Sequence, residues 1–164
     1  MTDAQLYGGI AAMGAVAGMR SMSAPAMLGQ IAKAGLMPER SSRFDFLNDP
    51  KVSYPLMALA IGEVVFDKLP FMPKRTKVPS LVGRAITGGL TGASISSSKK
   101  RSALLGAAIG AAVAVGVSYG AYHLRRKASE KVPDRVVGLL EDAIAAGTGM
   151  IVLSKLRSAG EIPA

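Results

Sequence analysis

The chain of 164 residues contains no cysteine, no tryptophan and a single histidine, and aromatic residues make up only 5% of it. Without cysteine there is no disulfide, no thiolate metal site and no cysteine nucleophile. His123 has no second histidine with which to complete a metal site, and its place beside Arg125 at the end of an apolar run is that of an interfacial residue. No phosphate loop or dinucleotide fingerprint is present either, because "GGLTGAS" lacks the lysine and the preceding strand that such loops need. With no Ser/His/Asp arrangement, the expectation is a protein without enzyme chemistry, cofactor or metal. The apolar N-terminal stretch, Leu6 to Met19, is preceded by Asp3 and by no basic residue, which argues against a cleaved secretory signal.

What the chain does have is small and apolar. Hydrophobic residues reach 49%, with 19 glycines, and the mean hydropathy is +0.32. A soluble core of this size relies on bulky side chains, whereas helices in lipid rely on small ones that let backbones approach. The net charge of +9 would suit nucleic acid if it were interleaved with aromatics. Instead the basic residues form short runs between apolar segments, "PKRTK" at 73 to 77, "KKR" at 99 to 101 and "RRK" at 125 to 127. That is the distribution of anchors at anionic headgroups, so the expected partner is membrane lipid and not nucleic acid.

One segment is a clean transmembrane candidate: Ala103 to Tyr122 runs twenty positions without a charge, and about twenty helical residues cover the hydrocarbon core. Three others are apolar on one side of a helical wheel but carry charge, near 54 to 69 (Glu63, Asp67, Lys68), 81 to 95 (Arg84) and 136 to 156 (Glu141, Asp142, Lys155). Ser53 with Pro55, Pro79 with Ser80, and Pro133 with Asp134 read as helix starts. The stretch "PERSSRFDFLNDPK" from Pro38 to Lys51 reads as a solvent-exposed loop.

The first segment, near 6 to 36, contains "AGMRSMSAPAML". Its first half, Leu6 to Met19, is fourteen residues long, too short for a core that needs about twenty. Yet Pro25 opposes an unbroken helix. The expected solution is a break at Arg20 and a restart with Ser23 as N-cap and Pro25 in the first turn, which also aims helix N-terminal amides at the break. An anion is then required near Arg20. Glu63, deepest in the next helix, is the expected partner, and a bound anionic solute the functional alternative. Glu63 and Asp67, four residues apart, and the adjacent Glu141 and Asp142 are candidates for ion pairing with Arg20 and Arg84, for a proton relay or for solute binding, together with Ser21, Ser23 and Lys68. Snorkelling of Asp67 and Lys68 to the interface is the plainer reading of that pair.

Glycines four apart, Gly14 and Gly18, Gly88 and Gly92, Gly106 and Gly110, Gly116 and Gly120, suggest helix contacts within the chain, or between copies in a homo-oligomer or membrane complex. Shifted by 54 positions, "IGEVVFDKLPFMPKRTKVP" falls on "VGVSYGAYHLRRKASEKVP", a faint parallel repeat. Placing the five segments across a bilayer puts nine basic residues on each side, with Arg20 and Arg84 inside the segments, so the positive-inside rule selects no orientation.

Read in order, "GAVAGMRSMSAPAML", "ALAIGEVVFDKLP", "YGAYHLRRKAS" and "VVGLLEDAIA" resemble the bacterial integral membrane family labelled domain of unknown function 4126. The resemblance implies a small multi-helix protein of the inner (cytoplasmic) membrane, and it implies no activity. The combined expectation is an all-α integral membrane bundle of four to five short helices with a broken first helix, forming a single domain. Its expected function is facilitated passage of a small polar or ionic solute. The rival is an accessory or scaffold protein that binds lipid or a larger membrane complex; a soluble Ala/Gly-rich bundle is the third reading.

Overall fold

The computed structural model describes residues 2–33, 45–66, 78–128 and 132–161. Those residues are all-helical: α1 (Asp3–Met19), α2 (Ser23–Lys33), a 3-10 turn (Asp45–Asn48), α3 (Pro50–Phe66), α4 (Val78–Ser98), α5 (Ala103–Ala128) and α6 (Asp134–Glu161). The count is thus six α-helices among the described residues where four to five segments were expected. The first segment is two helices; α4 and α6 run past both expected ends, α5 starts where expected and runs past its end, and α3 starts earlier than expected and is described as far as Phe66.

The extra residues have local causes. Thr2 and Gln5 form a capping box that starts α1 three residues early, with Asp3 on the favourable end of the dipole. Helix α3 begins at Pro50 because Asp49 caps it: its Oδ1 accepts from the Lys51 amide at 2.9 Å and its carbonyl from Val52 and Ser53. Ser53 is therefore no cap but a buried residue one turn inside, and Pro55 lies within the helix. In the described part of the expected loop Phe46, Asp49, Pro50 and Lys51 are exposed as expected, but the chain there is a 3-10 turn leading into α3 and Leu47 is buried to 1% exposure beneath α2; residues 38–44 lie outside the described residues. Ser102 caps α5. Nothing stops α5 before Ala128, because Arg125, Arg126 and Lys127 suit a helix C-terminus.

Helix α1 is apolar on every side, and its buried residues (Leu6, Ile10, Met13, Val16 and Ala17 among them) are in contact all round. It is the central helix, packed chiefly on α4, α5 and α6. Close approach to α5 needs glycine: a Cβ on Gly14 would come within 2.8 Å of the Gly110 carbonyl oxygen. Gly88 and Gly92 of α4 meet Gly110 and Gly106 of α5 with equally little room. By contrast, nothing described lies within 4 Å of a Cβ placed on Gly116 or Gly120.

Much of the outer surface is apolar. Helix α5 is the one helix among the described residues long and apolar enough to cross a membrane, and only 22% of its most apolar stretch is buried. The apolar stripe of α6, with Val136, Leu140, Ile144 and Ile151, points outward as well. Buried positions meanwhile include Arg20, Arg84, Thr91, Ser94, Ser96 and Ser118. Apolar stripes of amphipathic helices normally face the core; here they face away from a partly polar interior.

Candidate functional site

The chain reverses at Arg20. Gly9 of α1 faces Val152 of α6, Arg20 bonds Asp142, and Gly149 abuts Met27 of α2, so α2 runs back towards the end from which α1 came. The first segment is a helical hairpin and not one kinked helix. Arg20 itself is extended, with φ −136° and ψ 103°, and its amide closes α1 by donating to the Val16 carbonyl at 2.7 Å. Because no Lys or Arg precedes Arg20, moving the start of α1 to the other end leaves the balance of basic residues as counted.

The restart differs in detail from the expected one. The Ala26 amide donates to the Met22 carbonyl, which makes Met22 the cap position and Ser23 the first helical residue; Pro25 falls third, where no N–H is needed. The capping group comes from another helix. Glu63 of α3 accepts from the Ser21 amide at 2.8 Å through one carboxylate oxygen and from the Met22 amide at 2.9 Å through the other. A carboxylate at a helix N-terminus is matched to both the orphan donors and the dipole.

The other end of the break has the complementary charge. Arg84 of α4, 4% exposed, donates to the Gly18 carbonyl and, at 3.4 Å, to that of Met19. A cation thus caps the C-terminus of α1 as an anion caps the N-terminus of α2. Ser118 of α5 places its hydroxyl 3.0 Å from the same Gly18 carbonyl.

Arg20 is 3% exposed. Its Nε donates to Asp142 Oδ1 at 2.7 Å, Nη2 bonds the same oxygen, and Nη1 reaches the Glu63 backbone carbonyl at 3.4 Å. The expected salt bridge to the Glu63 carboxylate is therefore replaced by one to Asp142, for a geometric reason. Once the chain turns back, the Glu63 carboxylate lies over the amides that follow Arg20, and the guanidinium turns towards α6.

Glu141, adjacent to Asp142 but about 100° round α6, pairs instead with Arg125 of α5 at 3.6 Å. Ser21 Oγ lies 3.4 Å from Thr87 Oγ1. Ser23 begins α2 without capping it. Asp67 and Lys68 lie outside the described residues. Four candidates thus converge at one junction, Arg20, Glu63, Arg84 and Asp142, with Ser21 at its rim.

Two contributors were missed in the sequence. Thr87 stands three residues after Arg84, hence on the same helix face, a spacing that would have found it. Ser118 is a hydroxyl within the apolar run of α5, one turn after Ala114, whose carbonyl it also meets at 2.7 Å. Among the described residues no group of three His, Asp or Glu side chains converges to hold a metal ion. Away from the junction, in the α4–α5 turn, partial burial pushes the Lys99 ammonium below the ordinary lysine range.

The level of the junction is set by α5. Gly18 packs against Ala114, eleven residues after Ala103 and fourteen before Ala128. At 1.5 Å per residue that is about 16 Å from one end and about 21 Å from the other. The charged break lies beside the middle of α5.

A family model described as "Domain of unknown function (DUF4126)" matches residues 8–155. No curated protein and no solved structure matches the chain.

Proposed function

The chain belongs to the DUF4126 family, and from that premise we propose that it is an integral membrane protein through which a small polar or ionic solute passes, at the Arg20–Glu63–Arg84–Asp142 junction. The observation that carries this reading is the position of the broken hairpin at mid-length of α5, with both helix ends capped by opposite charges. Irregular backbone at membrane depth is tolerated only where protein or a cavity satisfies it, and discontinuous helices at that depth are a recurrent way to build solute sites. Ionisable groups in such a place are expensive to keep; an uncompensated Arg costs at least about 2.5 kcal/mol at a helix centre. Outward-facing apolar stripes on α5 and α6 support the membrane location.

Proteoliposomes test it. Vesicles carrying the protein are shrunk osmotically with sodium formate, sodium chloride, urea or glycerol, and re-swelling is followed by light scattering. The expected result is faster re-swelling than empty vesicles with at least one solute, abolished by Arg20→Met. Traces identical to empty vesicles for all of them would reject passage.

A second reading, a scaffold that binds another membrane protein, draws on Gly116 and Gly120. Both are exposed on α5 with nothing described against them, in the form that admits a partner helix.

A further inference from the structure

Three of the four charged groups at the junction are committed to partners within the chain. Both Glu63 carboxylate oxygens accept from backbone amides. Arg20 and Arg84 are 3% and 4% exposed, and they reach Asp142 and the Gly18 and Met19 carbonyls respectively. Asp142 differs. Arg20 holds it by one oxygen only, with Nε and Nη2 both on Oδ1, and among the described residues Oδ2 accepts no hydrogen bond. The Asp142 side chain is 21% exposed.

That open oxygen belongs to a junction level with the middle of α5, where Gly18 packs on Ala114. At membrane depth a bare carboxylate oxygen cannot face hydrocarbon, so something polar must reach it. The packing of α6 shows from which side. Towards its C-terminus the inner face is sealed, with Ala145 2% exposed and Gly149 buried against Met27. One turn the other way the packing loosens: Gly138 is half-buried, and a Cβ there would find only the Arg125 guanidinium within 4 Å, at 3.7 Å. Arg125 and Glu141 flank that approach as a pair 3.6 Å apart.

The surroundings of Oδ2 select by charge. An anion would meet a carboxylate oxygen. A cation would be drawn to Oδ2 but would stand beside the Arg20 guanidinium on Oδ1, having passed Arg125, and like charges repel strongly where water is scarce. An uncharged molecule with an N–H or O–H group meets neither penalty, and its donor gains a charge-assisted bond.

We propose that Asp142 Oδ2 is the first contact of the solute within the junction, and that the solute is a small neutral hydrogen-bond donor, an amide or a polyol. The inference rests on the passage reading and deepens it by giving the solute a charge and a contact atom. Its test needs no flux, so the two can fail separately.

The wild-type chain in nanodiscs is treated with a small water-soluble carbodiimide and glycine methyl ester, and each modified carboxylate is followed by mass spectrometry of its peptide. Asp142→Asn distinguishes the Asp142 product from that of neighbouring Glu141. Asp142 is expected to react at least about tenfold faster than Glu63, whose engaged oxygens are freed only by local opening. Acetamide is expected to slow the Asp142 reaction saturably, about threefold at twice its dissociation constant. N,N-dimethylacetamide, which has no donor, and sodium chloride are expected to leave the rate unchanged. Asp142 reacting no faster than Glu63, or protection that is absent or equal with dimethylacetamide, overturns the proposal. Protection by acetamide without re-swelling of acetamide-loaded vesicles would keep the contact and reject passage; re-swelling with sodium formate and no protection by acetamide would do the reverse.

Discussion

Replacing Asp142 by Asn tests whether the Arg20 charge is held from α6. The guanidinium is 4% exposed on its side chain and the carboxylate 21%, so solvent screens the pair weakly. Breaking a buried pair by removing one partner costs about 3–5 kcal/mol, because the remaining charge stays buried. The Glu63 carbonyl at 3.4 Å remains as an acceptor for Arg20, which places Asp142→Asn towards the lower part of that range. Arg20→Met keeps much of the side-chain volume and leaves Asp142 partly hydrated, so its cost is expected to be similar or smaller.

The double variant buries neither unpaired charge, and a coupling of about 2 kcal/mol or more should separate it from the sum of the singles. Reversible unfolding of the four proteins in mixed micelles reads the cycle. Additivity within about 0.5 kcal/mol would refute the pairing. The Arg125–Glu141 pair supplies the contrast: its side chains are 25% and 10% exposed but its charged atoms stand 3.6 Å apart, so its cycle should yield a smaller coupling than that of Arg20 and Asp142.

Glycine contacts and orientation give further predictions. Gly14→Leu drives a side chain into the Gly110 backbone and should cost about 1–3 kcal/mol in the same unfolding assay, whereas Gly116→Leu, facing open space, should be within about 0.5 kcal/mol of wild type; equal effects would show that α5 is wrongly faced. With nine basic residues on each side of the segments, adding two or three lysines at "KKR" or "RRK", or neutralising two or three basic residues there, should invert a topology reporter. A reporter that stays put through both changes would show that this balance does not set orientation.

The break at Arg20 was legible because two local facts collide there, fourteen apolar residues that are too few to span and a proline that stops their continuation. Its direction was not legible. Whether α2 continues α1 or turns back depends on where α6 and α3 lie, and that is decided by contacts such as Met27 against Gly149. The same tertiary information reassigned the carboxylates. Sequence depth singled out Glu63 as the partner of the Arg20 charge, but its carboxylate takes a pair of backbone amides, which leave no mark in a side-chain pattern. Asp142 and Glu141, neighbours in sequence, serve different arginines because a helix turns about 100° per residue.

Asp49 with Pro50 was a cap signal as good as Ser53 with Pro55. The choice between them was settled by Leu47, which must reach the core just before α3 begins. The apolar stripe of α6 was read correctly as a stripe; that it faces outward follows from Asp142, Ala145 and Val152 occupying the inner side.

The central claim, a charged junction held at membrane depth, is tested most directly by spin labels along the outward face of α5. Leu104, Ala108, Ala112, Gly116 and Tyr119 are all exposed, and the absence of cysteine allows each to be labelled alone. In nanodiscs the ratio of oxygen to nickel-chelate accessibility should rise from Leu104, peak at Ala112 to Gly116 beside the junction, and fall again at Tyr119. A flat, water-like ratio across the five positions, or a maximum at Leu104, would contradict it.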